Sequence, residues 1–276
     1  MAINFKKIDK QSQIEIIEKV INGTSMRKIE QEYGVTRQSV SKYLKDNQIN
    51  IKISGRRKYI HDFDYFENID NEHKAYWLGF MFADGYIVDY SNNYGEDSFG
   101  IKLKKDDKQH LEKFKLDISA TNPILDTSDD LVESYRIQCT SQKTVDDLIS
   151  KGCVKRKSLI LQPPKNVPSI LIKDFIRGYF DGDGSLSYYI TNKNYRNYQI
   201  KIVSTQEFCE WLLDFFKKGN IYQDKRTQKT WVYEAGGIYQ VRTICDFLYK
   251  NTTIYLERKY NQYLEMLKYC ESRGIN

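Results

Sequence analysis

A chain of 276 residues with 40% apolar content exceeds the usual single domain and can bury a sizeable core, so one large domain with a small one, or two equivalent halves, is expected. Only four prolines, no low-complexity tract and no apolar run near the roughly 18 residues of a membrane span exclude disordered and membrane-spanning classes, while five cysteines without a CxxC pair argue against a disulfide or zinc framework and fit reduced thiols in a cytoplasm or organellar matrix. The net charge of +6 is concentrated: residues 1–60 hold 13 Lys and Arg against 6 Asp and Glu, the other 216 sum to −1, and such a basic segment suits a polyanion partner.

Residues 12–47 carry three short helical patterns. SQIEIIEKVING places Ile14, Ile17, Val20 and Ile21 on one face, with Ser12 as N-cap and Gly23 as stop; SMRKIEQEYG follows, capped by Ser25; TRQSVSKYLKDN begins at Thr36. Only Gly34 and Val35 separate the last two, the spacing of a helix-turn-helix: a glycine for positive φ, an apolar plug, then a capped helix. Its outward face would be Arg37, Gln38, Ser41, Lys42 and Lys45, with Val40 and Leu44 inward. A generic three-helix bundle is the plainer alternative. A small all-α domain is expected over residues 1–49, DNA-binding if the turn reading holds. Residues 50–70 read as a basic linker, whose Arg56 and Arg57 could lie along a phosphate backbone or simply be solvated.

From residue 71 the chain repeats itself. WLGFMFADGYI (77–87) and FIRGYFDGDGS (175–185) are apolar helices that run into aspartate, Asp84 and Asp183, 99 positions apart. Each is followed by two alternating strand runs, an amphipathic helix, a second strand pair, another helix and an Arg-Lys pair, Arg156-Lys157 or Arg258-Lys259. Asp84 to Lys157 spans 73 residues and Asp183 to Lys259 spans 76. Elements in one order at one spacing mark a duplication, so an α+β fold of two pseudo-symmetric αββαββα halves is expected, over residues 71–168 and 169–276.

Acid at the C-terminal end of a helix opposes the backbone dipole, so two copies demand a reason. Gly79 and Gly178 each stand five residues before their aspartate and would let two helix backbones pack closely. A pseudo-twofold along that seam brings Asp84 and Asp183 side by side. Two carboxylates with the helix-end carbonyls of Ala83 and Gly182 in one small volume need a cation or a protonated acid, and an oxygen-only donor set suits Mg²⁺. In-line phosphodiester hydrolysis by water at such a site requires no protein nucleophile.

These residues resemble the two LAGLIDADG motifs of a single-chain homing endonuclease, over roughly residues 60–270, with the helix-turn-helix as an appended module. The resemblance implies a saddle of two four-stranded antiparallel sheets over the DNA major groove, with the motif helices at its seam. It further implies a monomer without membrane association that makes site-specific double-strand breaks with short 3′ overhangs in a long asymmetric target. Asp84 and Asp183 match the metal-binding acids, with Mg²⁺ as cofactor, Mn²⁺ as a substitute and Ca²⁺ supporting binding without cleavage. Lys157 and Lys259 match the catalytic lysines, with Lys155 a rival. Asp181 takes an earlier acidic position of the motif, occupied in the first copy by Phe82, and reads as a seam group rather than a ligand. The strand position that often orients water in this family reads as Leu103 in one half and Val203 in the other, a departure from the pattern.

Strand alternation puts Lys102 and Lys104, Arg136 and Gln138, and Gln199 and Lys201 opposite their apolar neighbours, where a saddle would meet base edges, and Lys225 and Arg226 in a turn that would meet backbone. EF-hand readings of DYSNNYGED and DGDGS fail because loop position 6 is Tyr94 or Leu186 instead of Gly. The alternative of a different class is a DNA-binding regulator or RNA-splicing maturase on the same duplicated fold. Retention of both acids at costly helix ends favours cleavage.

Overall fold

The computed structural model describes residues 3–21, 24, 26–47, 49, 59–90, 95–155 and 157–275. Gly23, Ser25, Arg56, Arg57 and Arg156 lie outside the described residues. The chain forms two compact units, Met1–Lys58 and Tyr59–Asn276.

The first unit contains α1 (Lys10–Ile21), α2 (Met26–Tyr33) and α3 (Arg37–Asp46). Its core is Phe5, Ile16, Val20, Ile29, Val35, Val40 and Leu44. The helix start expected at Ser12 is displaced, because Asp9 does the capping: its carboxylate accepts from the Ser12 amide at 2.9 Å and the Ser12 hydroxyl at 2.7 Å. The buried stripe accordingly runs through Ile16 and Val20, and Ile14 faces solvent. Gly34 ends α2 with φ +65°, and Thr36 caps α3 by accepting from the Ser39 amide. Val35 fills the angle between the two helices and bridges Ile3, so the N-terminal residues and buried Phe5 close over the bundle.

The second unit holds both halves of the repeat. The first runs α4 (Glu72–Ala83), β1 (Gly85–Val88), β2 (Ser98–Lys104), α5 (Lys108–Asp117), β3 (Leu125–Asp126), β4 (Ser134–Thr140) and α6 (Gln142–Ser150). The second runs α7 (Ile172–Asp183), β5 (Gly184–Ile190), β6 (Arg196–Ser204), α8 (Gln206–Phe216), β7 (Asn220–Gln223), β8 (Trp231–Gly236) and α9 (Ile238–Tyr249), and α10 (Glu257–Ser272) follows. The sheets are antiparallel, ordered β1-β2-β4-β3 and β5-β6-β8-β7, so both halves share one topology. α4 is apolar all round and buried from Ala75 to Ala83, as a helix must be when it is packed on every side. One continuous core spans both halves. Residues 59–70, expected to be linker, belong to it: Tyr65, Phe66 and Ile69 are buried, and the Asp62 amide donates to the Ile118 carbonyl at 2.8 Å.

Candidate active site

α4 and α7 meet backbone to backbone. A Cβ on Gly79 would stand 1.9 Å from the Phe175 carbonyl oxygen, and one on Gly178 would stand 1.9 Å from that of Tyr76, so no side chain fits at either position. The clashing residues are themselves repeat equivalents, which makes the seam a local twofold. At its end a Cβ on Gly182 would lie 2.4 Å from the Ala83 Cβ and 3.3 Å from Asp84 Oδ2. The glycine therefore brings the last turn of α7 against the opposite carboxylate.

Asp84 is half-buried and Asp183 is exposed on one side. Lost hydration pushes both carboxyls up, and for Asp183 the charge of Asp84 adds to it, taking it to about 6. Lys157 and Lys259 oppose the rise in both. These lysines answer the question of acid at a helix end. The Lys157 ammonium donates to the Met81 carbonyl at 2.8 Å and also to the Gly85 carbonyl, while Lys259 donates to the Gly184 carbonyl. Each half thus sets a cation on the carbonyl end of its own motif helix, where it offsets the dipole and the aspartate together. Burial lowers both ammonium pKa values, that of Lys259 to about 8, and the nearby aspartates resist the fall. Lys155, the rival, is elsewhere: it pairs with Asp89 at 3.0 Å and Asp97 at 2.7 Å.

Asp181 is fully buried at the seam. Its carboxylate accepts from the hydroxyls of Tyr76 at 2.7 Å and Tyr249 at 2.5 Å and from the Leu256 amide at 2.7 Å. Burial pushes its carboxyl up, and the three donors pull against that. Because Tyr76 gives its proton to Asp181, His110 Nε2, 2.9 Å from the same oxygen, must carry a hydrogen, which leaves Nδ1 as the buried atom without a partner. Burial holds that imidazole well below its ordinary value, in agreement with a neutral ring. Beyond it, buried Arg177 donates to Asp174 at 2.7 Å and Glu72 at 2.8 Å and ties the two halves together. One further pair escaped the sequence reading: Arg258 donates to Asp107 at 2.9 Å across the halves, and both charges act on Asp84. The Arg-Lys repeat was its only trace in the sequence.

Register corrects the proposed water-orienting pair. Gly85 faces Ile101 and Gly184 faces Ile202, so Leu103 corresponds to Ser204, not Val203. Leu103 is buried in the core, whereas Val203 is on the outward face and matches Lys102. Lys102 and Val203 are therefore the equivalent outward residues, each following the partner of the first strand residue, Ile101 opposite Gly85 and Ile202 opposite Gly184.

Of the outward strand residues, Lys102 and Lys104 are exposed and Arg136, Gln138, Gln199 and Lys201 are half-buried. Lys102 pairs in register with Arg136, and Gly100 with Gln138. Gln199 donates to the Ser187 hydroxyl at 3.2 Å, and Lys201 lies 3.4 Å from Glu234. Lys225 is exposed, and Arg226 folds back on Asp224 at 3.1 Å. In the first unit Arg37, Gln38, Lys42 and Lys45 are exposed and Ser41 is half-buried; Arg37 pairs with Glu30 at 2.8 Å. Among the described residues no three His, Cys, Asp or Glu side chains gather as a metal cluster. A cation at the seam would rest on two carboxylates and backbone oxygens.

No protein-family model matches the sequence, and no curated protein is similar to it. Solved structures do match. I-SmaMI bound to uncleaved DNA target in the presence of calcium ions aligns with TM-score 0.51 at 15% identity over 72% of this chain and 90% of that one. The LAGLIDADG homing endonuclease I-GzeII in complex with DNA target aligns with TM-score 0.52 at 17% identity over 74% and 92%. I-LtrWI, of the same kind and bound to target DNA, aligns with TM-score 0.52 at 13% identity over 78% and 93%. The fold is that of the LAGLIDADG homing endonucleases. In LAGLIDADG terms α4 and α7 are the two motif helices, Asp84 and Asp183 end them, and the paired sheets flank the seam.

Proposed function

We propose that this chain is a site-specific DNA endonuclease that hydrolyses a phosphodiester bond in each strand of a long asymmetric duplex, as a monomer, leaving short 3′ overhangs. The observation that carries the reading is the convergence of Asp84 and Asp183 at a glycine-packed seam, with a lysine behind each. Neither acid is needed to build the seam, and each is held against its ionisation preference. That is a site waiting for positive charge.

The donor set fits a hard divalent ion. Carboxylate oxygens of Asp84 and Asp183 and the carbonyls of Ala83 and Gly182 would hold Mg²⁺, and glycine at 182 lets the two helix ends approach closely enough for both halves to contribute. Bound there, Mg²⁺ supplies Lewis-acid stabilisation to attacking and leaving oxygens, and Mn²⁺ would substitute. The chain's own part is to position and to neutralise. A water oxygen forms the new bond to phosphorus as one of its protons passes to solvent, the ester bond to the departing sugar oxygen breaks, and that oxygen takes up a proton. Lys157 and Lys259 present ammonium groups where the phosphoryl charge grows, and Lys259, titrating at about 8, is poised near neutrality to give a proton from Nζ. Sequence reading would rest on the outward residues of β2, β4 and β6, and the first unit, read as a helix-turn-helix, would add Gln38, Ser41, Lys42 and Lys45 at a flanking site.

The deciding experiment is selection of cleaved sites from a randomised duplex library with Mg²⁺, followed by assay of Asp84→Asn and Asp183→Asn. Both variants should lose double-strand cleavage yet bind the selected target in Ca²⁺ within about tenfold of wild type, because the contact surface is untouched. Cleavage by either variant near the wild-type rate refutes the assignment.

A further inference from the structure

We propose that the cleft between the β5–β6 hairpin and the end of α10 is a phosphate-ester site that takes a backbone phosphate of the bound duplex outside the cut, an inference that rests on the DNA-cleaving reading above. The cleft has a volume of about 380 Å³ and is lined by Tyr195, Arg196 and Asn197 of the hairpin, Tyr239 at the start of α9, and Tyr269 and Arg273 of the C-terminal segment. No acidic side chain lines it among the described residues.

Its arginines and tyrosines alternate in a stack. The Arg196 guanidinium lies 4.5 Å from the ring centre of Tyr188 and 5.1 Å from that of Tyr269; Arg273 lies 5.6 Å from Tyr269 and 5.1 Å from Tyr195. One Arg196 nitrogen donates to the Tyr198 hydroxyl at 3.5 Å, and a guanidinium held among rings keeps its other in-plane donors for a phosphate oxygen pair. The ion-paired arginines among the described residues are Arg37, Arg177, Arg226, Arg242 and Arg258. Arg196 and Arg273 have no carboxylate partner among those residues. A purely structural brace would not need two like charges against one tyrosine ring, since an aromatic pair or one Arg–Glu pair would fasten the hairpin without repulsion. The surplus charge calls for an anion.

Position identifies the anion. Asn197 belongs to the same alternating row of β6 as Gln199 and Lys201, whereas Arg196, the next residue, belongs to the row that faces the helices. The cleft therefore wraps the sheet end, joining the outward face to its back, where a strand leaving the sheet would pass. No base edge is needed, so the contact should be sequence-neutral.

The test uses the full chain and the selected duplex in Ca²⁺. Arg273→Gln should lower the slope of log affinity against log salt by about 0.9, the release from one phosphate, and weaken cognate and scrambled duplexes alike by about tenfold. It should also remove ethylation interference at one phosphate outside the cut. Arg273 is exposed, so the fold should survive; Arg196→Gln is the second variant and should repeat the result. Unchanged slope and interference in both, while wild type still cuts, overturn the site and spare the endonuclease reading. A wild type that neither binds nor cuts any duplex overturns that reading itself. Titration of AMP separates the sources: AMP binding abolished by Arg273→Gln, with the duplex slope unchanged, makes this a free-nucleotide pocket and overturns the backbone assignment.

Discussion

Asp183→Asn should stabilise the protein at neutral pH when no metal is present. The Asp183 carboxyl titrates at about 6 in the folded chain against an ordinary 3.8, because it loses hydration and faces Asp84. Between those values the folded state keeps a proton that the unfolded chain has released. The anion's penalty is therefore absent below about pH 4, grows through the window and is complete above about pH 6. A displacement of this size corresponds to about 3 kcal/mol for a wholly desolvated group; Asp183 is exposed on one side, and solvent screening reduces it to about 1 kcal/mol. For a unit of this length that is a shift of about 2–4 °C in Tm. Thermal unfolding in EDTA at a series of pH values gives the measurement: variant and wild type should coincide near pH 4 and separate in favour of the variant by pH 7. Mg²⁺ should reverse the order, because ligand at a hundred times its Kd adds about 2.7 kcal/mol to the protein that binds it, and the variant has lost half of the carboxylate pair. Equal or lower stability of the variant at pH 8 without metal would refute the view that two acids are held at the seam against their preference.

Two further outcomes are expected. Alanine at Gly79 or Gly178 places a methyl 1.9 Å from a facing carbonyl oxygen, so either substitution should cost about 1–3 kcal/mol or more and misalign the acids; unfolding midpoints equal to wild type in both would rule out the close seam. Residues 59–276 contain a self-contained core and every group assigned to cleavage, so this fragment should fold and cut the same bonds, with weaker binding and a shallower salt slope. Footprints and slopes identical to those of the full chain would remove DNA contact from the role of residues 1–58.

The sequence revealed what recurs and concealed what is met across space. Two apolar helices ending in acid, followed by the same elements in the same order, disclosed the halves, the seam glycines and both lysines. The strand register was misjudged because the repeat does not keep one offset. Equivalent residues are 99 apart at Gly85 and Gly184 but 101 apart at Ile101 and Ile202, since the second hairpin is two residues longer. Pairing Leu103 with Val203 fell between these values and joined a core residue to a surface one. Asp181 could be placed at the seam but its partners could not, because Tyr76 and Tyr249 lie 105 and 68 positions away. The same separation hid the stack of Arg196 and Arg273. Buried Phe5 was missed because a single aromatic in a short turn has no period to read.

Correct register also exposes a chemical difference that the duplication hides. The strands that follow the acids share one topology, yet the outward residue Lys102 of β2 corresponds to Val203 of β6, and Arg258 and Asp107 both act on Asp84. Asp84 accordingly has three cationic neighbours, Lys157, Arg258 and Lys259, where Asp183 has Lys157 and Lys259. Duplication fixes the helices, glycines and lysines because the seam must close on itself. The outward strand positions carry no such constraint, and they are where two copies of one fold become two unequal halves of one site.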